Sequence, residues 1–120
     1  MKTPEVFFEH ILECIAEIEG YVKGFTEIKF AKSSLIQDAV TRRLEILGQD
    51  VKNLPEEIKT NHPSVPWKNI AGSRDILAHD YFQVDYGIIW ETVRKDLPLL
   101  KKEIKKILKR KNIPQKSFLE

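Results

Sequence analysis

The chain has one cysteine, Cys14, and that scarcity sets the first limits. No intramolecular disulfide can form, and no Cys/His group has zinc-binding spacing. No apolar run approaches the ~18 residues that a membrane span needs. The first residues, Met1-Lys2-Thr3-Pro4-Glu5, reach an acidic side chain before any long apolar run, so no secretory signal is expected. Charge of one sign is also scarce. Twenty basic residues against eighteen acidic ones leave a formal net charge of +2, too little to imply nucleic-acid binding by itself. There is no internal repeat, no low-complexity stretch and no convincing strand alternation. These absences point to one cytoplasmic domain that folds without metal or disulfide help and uses no cofactor.

What is present suits a helical protein with a charged surface: 42% of residues are hydrophobic and 32% are charged. A chain of 120 residues can bury about 65% of its unfolded surface, enough for a core. Pro4 suits a first helical turn, with Thr3 as N-cap. Phe7, Ile11, Cys14, Ile15, Ile18, Tyr21, Val22 and Phe25 then recur at three- and four-residue steps, which predicts a helix over about 4–23. A short helical turn is expected within 25–32. Ser33 or Ser34 can cap the next helix, whose stripe is Ile36, Val40, Leu44, Leu47, Val51 and Leu54. Gly48 lies inside it, as a close-approach point or as a tolerated glycine. Pro55 ends that helix and starts a short one over 56–61. Pro66 opens a helix carrying Trp67, Ile70, Arg74 and Leu77 and ending near His79. A last helix is expected from about 84 or 85 to 111, kinked near 94–97 because Pro98 lacks an N–H and crowds the preceding turn. The sum is an all-α, antiparallel four-helix bundle with one or two short extra helices. It forms a single domain over 1–111, followed by a flexible tail over 112–120.

The chemistry gathers in Ser73-Arg74-Asp75-Ile76-Leu77-Ala78-His79-Asp80-Tyr81. Arginine offers a permanent cationic fork for phosphate oxygens. Histidine exchanges a proton near neutral pH. Tyrosine brings a ring for stacking and a hydroxyl for hydrogen bonding or modification. On a regular helix Arg74 and His79 stand about 140° apart and about 7.5 Å along the axis, so they do not share a face. Three arrangements solve this: the arginine bends round, the helix loosens, or a second copy of the chain supplies a matching set. Asp75, four residues before His79, does share its face and can orient the imidazole. By spacing alone the pattern is weakly specific. Surface charges with a histidine at a helix C-terminus would give the same spacing.

The flanks add specificity. Pro66-Trp67, Ile70-Ala71-Gly72-Ser73, the Arg74-x4-His79-x-Tyr81 motif, Trp90-Glu91-Thr92-Val93 and Asp96-Leu97-Pro98 occur in one order. Upstream stand Arg43-Leu44-Glu45-Ile46-Leu47-Gly48 and Leu54-Pro55. Over about 4–108 the chain resembles the HepT-like family of the HEPN superfamily. The resemblance implies a metal-independent endoribonuclease, the toxin of a toxin–antitoxin pair, acting on RNA (tRNA among the candidates). Arg74 and His79 would be catalytic and Asp75 would orient the motif. It also implies a homodimer with a shared cleft. An MntA-like nucleotidyltransferase antitoxin would add AMP to Tyr81, or that tyrosine would contact substrate. The chain departs from the family at Gly48-Gln49-Asp50, where many members carry Gly-Glu-Ala. The competing reading is a non-catalytic helical adaptor that binds a nucleotidyltransferase or a nucleotide.

The C-terminal stretch is basic on one face, with Lys101, Lys105 and Lys109 at four-residue steps. It reads as an RNA-backbone contact or as an ordinary solvated face. Phe7, Phe8, Phe25, Phe30, Trp67, Phe82, Tyr86 and Trp90 read as core or interface residues. Cys14 reads as a small core residue, and His10 and His62 as surface residues.

Overall fold

The computed structural model describes residues 3–75 and 84–111. The described chain is helical, with no strand among the described residues. Helix α1 (Pro4–Val22) starts where Pro4 predicts. Thr3 occupies the N-cap position, but its side chain makes no capping bond; its carbonyl accepts from the Val6 N–H at 3.1 Å instead. Gly24, at φ +79°, turns the chain out of α1 in a conformation that side chains with a Cβ rarely adopt. Thr26 caps the short α2 (Glu27–Ala31) by accepting from the Lys29 N–H at 3.2 Å. Ser33 then caps α3 (Ser34–Lys52), its Oγ accepting from the Ile36 N–H at 3.2 Å.

Pro55 precedes α4 (Glu56–Asn61), and Pro66 precedes α5 (Trp67–Ala71). Asp85 caps α6 (Tyr86–Glu91), accepting from the N–H groups of Gly87 and Ile88. The expected kink takes the form of a π turn over Thr92–Asp96, which leads directly into α7 (Leu97–Arg110). Pro98 cannot donate to the Arg94 carbonyl and its ring crowds it, and widening the preceding turn relieves both conflicts. The C-terminal tail expected over 112–120 lies outside the described residues.

The core is one cluster. Helix α1 contributes Phe8, Ile11, Ile15 and Ile18, and α3 contributes Val40, Leu44, Leu47 and Val51. Trp67 and Ile70 come from α5, and Leu100, Ile104 and Leu108 from α7. Helix α3 packs on α1 along one side and on α5 along another. Helix α2 closes one end: Phe30, fully buried, meets Trp90 at 5.2 Å between centroids and Tyr86 edge-on at 6.4 Å. Arg94 also lies over that indole, 5.5 Å from the ring centroid. Gln37 is buried yet satisfied, donating to the Phe30 carbonyl at 2.9 Å.

Leu44 sits at the centre of α3 with no exposed surface. Leu44→Ala should lower the unfolding free energy by about 3 kcal/mol, measured by urea denaturation with an unchanged m-value. A loss under about 1 kcal/mol would show that this seam repacks freely.

Candidate functional site

The motif begins on a short support. Helix α5 is held by Trp67, whose indole N–H donates to the His62 carbonyl at 2.8 Å, and by the fully buried Ile70. The sequence predicts an unbroken helix from Pro66 to about His79. The structure differs: α5 stops at Ala71, and residues Gly72–Asp75 wind into a 3-10 turn. Glycine and serine are weak helix formers, and a 3-10 turn is a common way for a helix end to tighten. The turn packs on α3, with Ser73 buried. The backbone of Arg74 and Asp75 is therefore set by α3. At three residues per turn, it no longer follows the helical angles on which the 140° separation rests. His79 and Tyr81 lie outside the described residues, as does Phe82.

Helices α1 and α3 are also joined by polar pairs. Arg43 reaches Glu17 at 2.7 Å. Hydrogen bonding to Tyr21 first, and the Glu17 charge second, hold the guanidinium even more firmly protonated than usual. About two turns of α1 away, His10 Nδ1 pairs with Asp50 Oδ2. Cys14 lies beside this pair, and one ligand atom from each of His10, Cys14 and Asp50 falls within 4.8 Å of the others. Burial pushes the Cys14 thiol up to about 11, helped by the Asp50 charge. Cys14 is thus a buried core residue, as the apolar stripe predicts. His10 is not a plain surface residue: its side chain is partly buried and its ring pairs with Asp50 of α3. The four-residue spacing of His10 and Cys14 was readable in the sequence. Asp50 was not, because only the packing of two helices brings it there.

The family departure falls on this seam. Gln49 is exposed on α3, with its amide donating to Asn53 at 3.4 Å, while Asp50 turns to His10. Arg42, Glu45, Ile46, Gln49 and Asp50 line a shallow groove on the same helix.

The lysine row on α7 divides. Lys101 is held by Glu19 of α1 at 3.0 Å, whereas Lys105 and Lys109 are exposed. His62 corrects the sequence expectation most clearly. It is buried, and its ring meets Glu103 of α7 at 3.1 Å. Its carbonyl accepts from the Trp67 indole N–H. No described helix is long and apolar enough to cross a membrane.

Residues 11–107 match the family described as Ribonuclease HepT-like. The chain belongs to the HepT-like ribonuclease family. A protein of Caldanaerobacter subterraneus subsp. tengcongensis, described by its name as an RNase, is 51% identical over 111 residues, 92% of this chain and 98% of its own length. A Thermococcus cleftensis protein named for ribonuclease HepT is 40% identical over 108 residues, 90% of this chain and 98% of its own. In Methanocaldococcus jannaschii a longer protein, named for gamma-glutamylcyclotransferase and RNase, is 50% identical over 107 residues. That match takes 89% of this chain and 48% of the longer one. No solved structure matches.

The His62–Glu103 pair has a pH consequence. The hydrogen bond from His62 is the main reason the Glu103 carboxyl titrates below its ordinary range. A carboxyl with a lowered folded pKa stabilises the fold above its unfolded pKa, and that contribution disappears as pH falls through the folded value. Stability measured by urea at about pH 7 and about pH 3 should therefore fall less in Glu103→Gln than in the wild type. Equal falls in the two proteins would remove Glu103 from the acid sensitivity.

Proposed function

We propose that this chain is a metal-independent endoribonuclease that acts as the toxin of a toxin–antitoxin pair. The observation that carries the reading is the family match across residues 11–107, with Arg74, His79 and Tyr81 standing in the family's motif order. The RNase names of the bacterial and archaeal relatives support it.

RNA supplies the nucleophile. The 2′-oxygen attacks the adjacent phosphorus, the bond to the 5′-oxygen breaks, and a 2′,3′-cyclic phosphate results. His79 assists the proton transfer, and Arg74 binds the phosphate and stabilises the charge that builds on it in the transition state. Asp75 orients the motif. Two copies pair so that their motifs face one cleft, which would let Arg74 and His79 of different subunits converge. An MntA-like nucleotidyltransferase silences the toxin by attaching AMP to Tyr81. The protein works in the cytoplasm, where RNA and that partner are found.

Lys105 and Lys109 extend the proposal to the RNA backbone. They are exposed on the last two turns of α7, near the negative end of its helix dipole. Lys101, paired with Glu19, takes a smaller share.

Purified, unmodified protein should cleave total RNA or tRNA in excess EDTA, and His79→Ala should be at least about 100-fold slower. Equal rates would take His79 out of the chemistry, and no cleavage by either protein would favour the adaptor reading. For the lysines, Lys105→Glu combined with Lys109→Glu should weaken RNA binding and lower its salt slope by about two. An unchanged slope would place the RNA elsewhere.

A further inference from the structure

The polar cluster that bridges α1 and α3 has the donor set of a transition-metal site. His10 and Cys14 stand one helical turn apart on α1, the spacing at which two side chains share a face. Asp50 meets them from α3, and the three ligand atoms lie within 4.8 Å of one another. Four-coordinate zinc, with bonds of about 2.0–2.3 Å, holds neighbouring ligand atoms roughly 3.3–3.8 Å apart. The widest edge of the cluster therefore has to close by about 1 Å, a movement within the range of side-chain torsions.

We propose that His10, Cys14 and Asp50 bind one zinc-class dication, with water as the fourth ligand. Nitrogen, sulfur and oxygen together suit a borderline-soft ion and disfavour calcium or magnesium, which take oxygen ligands. The charges balance. A dication faces one thiolate and one carboxylate, while the nearby Arg43 is already neutralised by Glu17 at 2.7 Å. On binding, the Cys14 S–H bond breaks, a sulfur–metal bond forms and the proton goes to water. His10 Nδ1 exchanges its contact with Asp50 for the metal. The His10 side chain is 41% exposed and the Asp50 side chain 13%, so the ion enters from the His10 side of the cluster. Such an ion would pin α1 to α3 and serve the fold rather than the cleavage step, so this inference does not rest on the ribonuclease reading.

The test uses the full-length chain, freed of metal and titrated with cobalt(II). One equivalent should bind and give the near-ultraviolet thiolate-to-cobalt charge-transfer band. Zinc should then displace the cobalt and raise the melting temperature. Cys14→Ala should lose the band, and His10→Gln and Asp50→Asn should bind zinc at least about tenfold more weakly. Circular dichroism verifies that each variant is folded. If Cys14→Ala does not fold, the His10 and Asp50 variants decide the matter. Absence of the charge-transfer band in folded wild-type protein, or zinc affinity unchanged in both His10→Gln and Asp50→Asn, would overturn the proposal.

Discussion

The packing of α1 on α3 is the constraint on which the rest of the molecule depends. Both helices run 19 residues, long enough to present several turns of apolar face to each other. Phe8, Ile11, Ile15 and Ile18 on one side, and Val40, Leu44 and Leu47 on the other, are buried with at most 1% exposure. Each such side chain contributes about 1.5–3 kcal/mol relative to an exposed position. The remaining elements attach to this pair. Helix α7 lies along α1, while α5 and the turn that carries Arg74 lie along α3. A helix of five residues has no independent stability, so α5 and its turn take their position from α3. The same holds for the start of the motif.

Where local chemistry decides a boundary, the boundary was legible. Ser33 caps α3, Pro55 precedes α4 and Asp85 caps α6 because each choice is settled within four residues of the site. Long apolar stripes were legible for a related reason: their period is a property of one helix alone. What depends on two elements at once was not. Neither the burial of His62 against Glu103 nor the pairing of His10 with Asp50 leaves a trace in spacing, since 41 and 40 residues separate the partners. The stop at Ala71 is an intermediate case. Glycine and serine at 72 and 73 are weak helix formers, but the apolar residues Ile70 and Leu77 keep the helical period running through them. Among the motif side chains, legibility came from the family pattern, and His79 and Tyr81 lie beyond the described residues.

Pro98 illustrates how a local rule acquires a tertiary role. Its missing donor could have been absorbed by a simple bend. Instead the chain inserts a wider turn over Thr92–Asp96. That turn carries Arg94 to the indole of Trp90, whose other neighbour is Phe30 of α2. The cation and the phenyl ring thus both meet the same indole, and α2 is docked against α6 through Phe30. Asp96 lies on the same turn, and its carboxyl is raised by burial and then by the nearby Glu91. Charge at this turn is therefore unfavourable on one side and used on the other.

The departure at Gln49-Asp50 can be read in the same geometric way. Successive residues on a helix point about 100° apart, so moving a carboxylate by one position moves it to a different neighbour. At 49 it would lie on the exposed face of α3, where the glutamine now reaches Asn53. At 50 it faces α1 and meets His10, with the Cys14 thiol alongside. An acid on the exposed face is free to act on a ligand. One on the inner face is committed to holding two helices together, and its charge raises the thiol further than burial alone would. The substitution therefore changes which surface of α3 carries negative charge more than it changes how much there is. Any support the motif receives from position 49 must come through an amide.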